Sequence, residues 1–346
     1  MRALEPRLID AVFTAVEGLL PPRPLDDHPL GCHRPRIADK TCLTGIVYRL
    51  ALGCSWVDAG RLVGVGQATL RRRRDEWIAA GVFDQLVNEA ICGYDRIRGL
   101  DLSEVSVDGS LHKSPCGGEG TGKNPTDRAK LGWKWSIASE AAGIPIGWAI
   151  DGANRHDIRL LAPTLDTVTA RGLDLDIETL HLDRGYDANT VRDDLAGRHI
   201  HEAVIARRRR RGEPKVPGKR PLLLGLRWTV ERTNSWLSNH GQLRRNTDRR
   251  TAHRLARILQ KLVWRCCRRV FAAWRRGDAA VSVVAVAVGA DSGCCGQGEE
   301  ADRAGPCRGW VGQAGVGCQP DNRSWALTSR RVQGHDWSRR SVTCRA

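Results

Sequence analysis

The sequence predicts an all-α helix-turn-helix region followed by an α/β domain in which helices flank a mixed sheet. Three observations predict it. Apolar residues recur at helical spacing from Thr41 to Leu86, short alternating strands trade places with helices from Asp101 onward, and neither period survives beyond Gly277. The divisions that follow are 1–100 for the N-terminal helical region, 101–276 for the α/β domain and 277–346 for a tail of low order, read as disordered. A chain of 346 residues with 41% hydrophobic content is long enough for two or three domains and too apolar for wholesale disorder.

Arg7 to Leu20 reads as a short amphipathic helix stopped by Pro21-Pro22. Within WVDAGRLVGVGQATLRRRRDEWIAAG, Trp56 to Val63 forms one helix, Gly64-Val65-Gly66 a tight turn, and Gln67 to Ala80 a second helix ending at Gly81. In helix-turn-helix geometry the start of the second helix faces base edges, here Gln67, Thr69 and Arg71, while Arg72, Arg73 and Arg74 reach phosphates. An ordinary helical hairpin with a solvated arginine face is the alternative.

From Asp101, Glu104 to Asp108 is a short strand, and Trp133 to Ser139 pairs with Ile144 to Ile150 around a turn at Glu140 to Gly143. Asp157 to Ala170 is a helix, Glu178 to Asp183 a strand, Ala188 to Arg198 a helix, and Ala203 to Ala206 a last apolar strand. A basic loop follows, Arg207 to Arg211 with Lys215, Lys219 and Arg220, and is read either as a grip on DNA backbone or as a solvated loop. Long helices run from about Trp228 to Arg276, with Leu255, Ile258, Leu259, Leu262, Val263 and Cys266 on one stripe. In the tail only VSVVAVAV reads as a strand.

The formal charge is +16, which points to a polyanionic partner, although 47 arginines against eight lysines also fits a GC-rich coding sequence. Twelve cysteines include no C-x-x-C pair, which argues against a zinc site and for thiols in a reducing cytosol. No run approaches the roughly 18 apolar residues of a membrane span, and MRALEPRLID lacks a signal-peptide core, so neither a membrane nor a secreted protein is expected.

Asp108 and Asp183 each close a predicted strand, where α/β sheets place reactive groups, and Glu231 lies near the start of a long helix with Asn234 and Ser238 on its face. Three such carboxylates can hold two magnesium or manganese ions, which suit hard oxygen ligands and phosphoryl transfer. Taken singly, a strand-end Asp is as readily a turn or helix cap, and a helical Glu is as readily solvated. Asp187 reads as a helix cap or as a group orienting water at such a site. Asn154, His156 and Asp157 read as a helix start or as neighbours of the site, and Trp133, Trp135 and Trp148 as sheet packing.

In this order, VDGSLHKSPCGGEGTG, ANRHD, LDRGYD, RWTVERTNSWL and LRRNTDRR resemble the DDE transposases of bacterial insertion sequences, specifically the insertion sequence five family. The resemblance runs from about Trp56 to Arg269, with 75 residues from Asp108 to Asp183 and 48 from there to Glu231. It implies a ribonuclease-H-like core with Asp108, Asp183 and Glu231 as a catalytic triad binding two Mg2+ or Mn2+ ions, preceded by a DNA-binding region. It further implies strand cleavage and transfer of an element whose terminal inverted repeats are recognised, target DNA as a second substrate, a homodimer or larger assembly on DNA, and action at the bacterial nucleoid in the cytoplasm. Arg227 matches the arginine of the family signature around the glutamate, which assigns it to DNA contact. Leu224 and Ser238 stand where the fuller signature has tyrosine and lysine. Two other readings stay open: a nuclease of the same fold without strand transfer, and a non-enzymatic DNA-binding regulator or inactive transposase remnant.

Overall fold

In the computed structural model the described residues are 6–22, 35–207, 227–244, 246–275, 325–327 and 342–344. Five helices come first: α1 (Pro6–Glu17), α2 (Asp39–Leu52), α3 (Trp56–Val63), α4 (Gln67–Ala79) and α5 (Val82–Arg98). The α3–α4 pair is the expected helix-turn-helix. The Ser55 hydroxyl accepts from the Asp58 amide to start α3, and Gly64 ends it in the left-handed conformation at φ 67°. Gly60 is needed for a different reason: the Val65 carbonyl turns back against it, and a β-carbon there would collide with that oxygen. Leu43, Ile46, Ala59, Leu70 and Trp77 fill the space between α2, α3 and α4.

The sheet is built from β1 (Glu104–Lys113), β2 (Gly122–Lys123), β3 (Leu131–Ser139), β4 (Pro145–Gly152), β5 (Thr179–Leu182) and β6 (Ala203–Ile205). β3 lies between β1 and β4, antiparallel to both, and β2 adds to β3 beyond β4. On the other side β1, β5 and β6 run parallel. This mixed order, with an antiparallel wing and a parallel wing meeting at β1, is the ribonuclease-H-like arrangement. Two helices cover its faces, α6 (Ile158–Thr169) and α8 (Arg227–Ser238), and α7 (Asn189–Gly197) joins β5 to β6. Neighbouring residues on a strand point to opposite faces, so Trp135 bonding Asn234 of α8 and Lys134 bonding Asp157 before α6 put those helices on opposite sides.

The strand expected to stop at Asp108 continues to Lys113, because Gly109 to Lys113 pair residue for residue with Ser136 to Gly132. Their alternation is not apolar, which hid the extension. The long helices resolve into α8, a short α9 (Gly241–Arg244) and α10 (Thr251–Arg275). α10 packs along α5 and touches α4, and one buried cluster runs from Ile9 to Val270. The change at 100/101 is therefore one of secondary-structure class within continuous packing. In the tail, Trp325–Leu327 and Val342–Cys344 form an antiparallel pair, β7 and β8, where no structure was expected; VSVVAVAV lies outside the described residues.

Candidate active site

The parallel register brings the two aspartates together. Ser106 pairs with His181, so two residues on Asp108 and Asp183 fall side by side, Asp183 directly after the end of β5. Asp108 is thus mid-strand toward β3 yet at the point where its parallel neighbour stops. The carboxylates are near enough for the Asp183 charge to act on Asp108.

Burial pushes the Asp108 carboxyl up to about 6, helped by Asp183 and opposed by the Gly109 amide, Arg227 and Asn234. The Asn234 amide donates to Asp108 Oδ2 at 3.2 Å, and its oxygen accepts from Trp135 Nε1 at 2.9 Å. Trp135 is fully buried and stacked on His112 at 3.6 Å between ring centroids, so this chain of contacts holds the Asp108 carboxylate from the rigid sheet face. Asp183 caps a turn, one of the two roles a strand-end Asp offers: Oδ1 accepts from the Gly185 amide at 2.7 Å at the head of the short 3-10 turn Arg184–Tyr186. Tyr186, quoted within LDRGYD but not singled out there, is buried at this point. Burial and the charges of Asp157, Asp108 and Asp183 push its phenol strongly up, so it is neutral.

Glu231 stands on the exposed flank of α8, one turn from Asn234, with Arg227 Nη2 at 3.5 Å from Oε1. Arg227 also acts on Asp108, which ties the third carboxylate to the first through one guanidinium. Among the described residues no three His, Cys, Asp or Glu side chains are already grouped to hold an ion. The donor set nevertheless fits a divalent cation. Two adjoining carboxylates, one buried with a raised proton affinity and a single side-chain donor, are what a hard cation relieves.

Asp157 stands at the head of α6, as a helix start would place it, and its charge acts on Tyr186 together with Asp108 and Asp183. It makes no side-chain cap on α6; it takes Lys134 Nζ at 2.8 Å, and Lys134 is buried. Its carboxylate lies where Gly109 leaves room, since a β-carbon there would come 2.8 Å from Oδ1. His156 Nδ1 accepts from the Ile158 amide at 3.3 Å, and Asn154 packs beside Gly122 and Gly152. Asp187 pairs with Arg192 at 2.6 Å, and the residue that starts α7 is Ala188.

The basic residues divide. Gln67, Arg71 and Arg72 are exposed at the start of α4, Thr69 is half-buried, and Arg71 donates to Gln67 at 3.3 Å. Arg74 corrects the expectation of phosphate contact: it is buried, pairs with Asp75 at 2.8 Å and Asp248 at 3.6 Å, and lies over Trp56. Arg73 is likewise buried, against Asp39 and Glu76. Each turns inward because a carboxylate from another element waits there, which helical spacing cannot show. Arg207 is exposed after β6, while Arg208, Arg209, Lys215, Lys219 and Arg220 lie outside the described residues.

Residues 99–266 match the family described as Transposase DDE domain, and residues 8–87 match DUF4096, described under transposases of the IS4/5 family. A protein of Burkholderia cepacia named as transposase for insertion sequence element IS402 is 39% identical over 135 residues, 38% of this chain and 60% of that protein. A second protein of the same organism, named as the uncharacterized 16.2 kDa protein of insertion element IS402, is 32% identical over 123 residues, 35% of this chain and 82% of its own length. The match thus spans about three fifths of the first relative's length. No solved structure matches the chain.

Proposed function

The chain belongs to the DDE transposase family, and from that membership and the adjoining carboxylates of Asp108 and Asp183 we propose that it cuts and joins DNA as the transposase of an insertion sequence. The observation that carries the reading is the register that sets Asp108 beside Asp183, with Asn234 and Arg227 of α8 turned to the same carboxylate.

Asp108, Asp183 and Glu231 would hold two Mg2+ or Mn2+ ions, which supply charge and a lowered pKa of bound water for attack on a phosphodiester. Asn234 keeps Asp108 in one rotamer. Arg227 balances Glu231 and Asp108, and its signature position supports a DNA phosphate contact as well. Tyr186, neutral beneath the acids, adds no charge to the pocket and excludes water from below. Gln67, Thr69, Arg71 and Arg72 support sequence-dependent binding to terminal repeats by α4, with Arg207, Arg208 and Arg209 adding backbone contacts. Joining two element ends requires at least a homodimer on DNA, and action at the nucleoid in the cytoplasm follows from the substrate.

The test is cleavage of a labelled duplex carrying the element's end by the full chain with Mg2+. Asp108→Asn, Asp183→Asn and Glu231→Gln should each lower the rate about 10³-fold or more, because the charge stabilisation at stake is several kcal/mol. A precut 3′-hydroxyl end offered with a plasmid should give joined product. Cleavage without joining would leave a nuclease, and DNA binding indifferent to all three variants with no cleavage by the wild type would leave a regulator.

A further inference from the structure

Beyond Asp108 the antiparallel wing of the sheet outruns the parallel one. β1 continues to Lys113, about 17 Å further at strand rise, while β5 stops at Leu182. The far end of this wing carries Lys113, Lys123, Arg128 and Lys130 against Glu119 and Asp127.

The loop from β1 to β2 is bound to the head of α10. Arg254, buried, donates to the Glu119 carbonyl, to the Gly117 carbonyl at 2.8 Å and to the Ser114 hydroxyl at 3.1 Å. The Glu119 amide donates to the Arg249 carbonyl at 2.8 Å, and Glu119 Oε2 accepts from the Thr251 amide at 3.1 Å. A β-carbon on Gly118 would collide with the Arg249 backbone. The same stretch of chain reaches α4, where Asp248 lies 3.6 Å from Arg74 and His253 Nε2 lies 3.0 Å from Asp75. One run of contacts therefore leads from α4 through residues 248–254 to the strand that bears Asp108.

The turn from β2 to β3 is held in one shape. Asn124, buried, donates its backbone amide to the Lys130 carbonyl at 2.8 Å, and its Oδ1 accepts from the amide and the hydroxyl of Thr126 at 2.9 and 2.8 Å. Arg128 and Ala129 are left-handed at φ 49° and 57°, a conformation that residues other than glycine rarely adopt. The acids of this end are already engaged, Asp127 by Lys113 at 3.5 Å and Glu119 by Thr251. Lys123, Arg128, Lys130, Arg249 and Arg250 are exposed and have no ion-pair partner among the described residues.

We propose that these five cations form a binding edge for the DNA backbone, which carries the duplex from the exposed face of α4 to the acid pair. A phosphate backbone is a regular line of charge, and cations on a fixed frame neutralise it by counterion release with little freedom to lose. Such contacts set register and orientation without reading sequence. The edge is separate from the contacts of α4 and Arg207, and its DNA assignment rests on the reading given under Proposed function.

The test follows the affinity of the full chain for labelled duplex DNA against salt concentration. The triple variant Lys123→Gln, Arg128→Gln, Lys130→Gln should lower the log–log slope by about two to three, and the double variant Arg249→Gln, Arg250→Gln by about one to two, with affinity down roughly tenfold or more. Both losses should be the same on the element's end and on an unrelated duplex, and melting temperatures should stay at the wild-type value. Arg96→Gln, Arg98→Gln on α5 removes two exposed charges elsewhere and should leave the slope as it was. An unchanged slope in either edge variant, or an equal fall in the α5 control, would overturn the edge. A loss confined to the element's end would make these residues readers of sequence and overturn the backbone assignment. Cleavage by a wild type whose edge variants bind normally would leave the transposase reading standing without the edge, whereas lowered slopes in a protein that cuts nothing would uphold the edge while that reading falls.

Discussion

Two places in this molecule bury charges of one sign, and they do so differently. Beside α8, Asp108 and Asp183 adjoin each other, and both act on the neutral Tyr186. Between α2, α4 and α10, Arg49, Arg74 and Arg257 crowd around the ring of Trp56, at 4.7, 4.9 and 5.3 Å from it, with Asp248 as their shared acid. Burial and its cationic neighbours pull Arg49 down to about 10, as burial and Asp183 push Asp108 up to about 6. The arginine cluster answers its repulsion internally, with an aromatic plate and a buried carboxylate. The acidic pocket has an amide, one guanidinium and an open flank at Glu231. Like charges that are compensated inside the protein belong to the scaffold; like charges left for something outside to compensate mark a site.

The largest effect expected from breaking this contrast is at Trp56. Trp56→Ala removes the plate that three guanidiniums share and should cost about 3–5 kcal/mol in chemical denaturation, while cleavage per folded molecule survives. Loss of cleavage without loss of stability would put the cluster in the catalytic machinery instead. Asp108→Asn should do the reverse, abolishing cleavage while stabilising the metal-free protein. The folded pKa of Asp108 stands above its ordinary 3.8, so ionisation opposes folding. That cost is absent below about pH 4, grows as pH rises toward 6 and is complete above it, amounting to a few kcal/mol. Melting curves of wild type and variant should therefore converge near pH 4 and separate above 6, with Mg2+ narrowing the gap. Superimposable curves would show that the carboxylate is not strained. The smallest effect sharpens the division among the α4 arginines: Arg71→Ala should weaken binding to the element's end by about 1 kcal/mol, or fivefold, and leave melting unchanged. Arg74→Ala should lower melting, and a selective loss of DNA affinity there would contradict its buried place.

Much of the fold was legible because its elements are local. The two helices around Gly64-Val65-Gly66 follow from apolar spacing and left-handed glycines, and four of the strands and the helices between them fall within a few residues of expectation. The extension of β1 through GSLHK was not legible, since those residues carry no apolar alternation and are held by pairing with β3. Of the site, Asp183 could be read from its strand end and the turn after it, whereas the strand end that singled out Asp108 is not there, since β1 runs on to Lys113. Asn234 could be placed on the face of Glu231 but not against Asp108, since the bond between them spans 126 residues. Lys134 and Tyr186 gave no signal at all. A lysine in a strand of tryptophans and a tyrosine in a turn come to face the acids only when packed together.

What the sequence determined alone is the order of elements, because backbone preference and apolar period act over a few neighbouring residues. Tertiary structure decided which arginines meet solvent and which a carboxylate, and which acids share one pocket. Those outcomes depend on Coulomb energy and desolvation, which vary with distance and burial in space and are blind to separation along the chain.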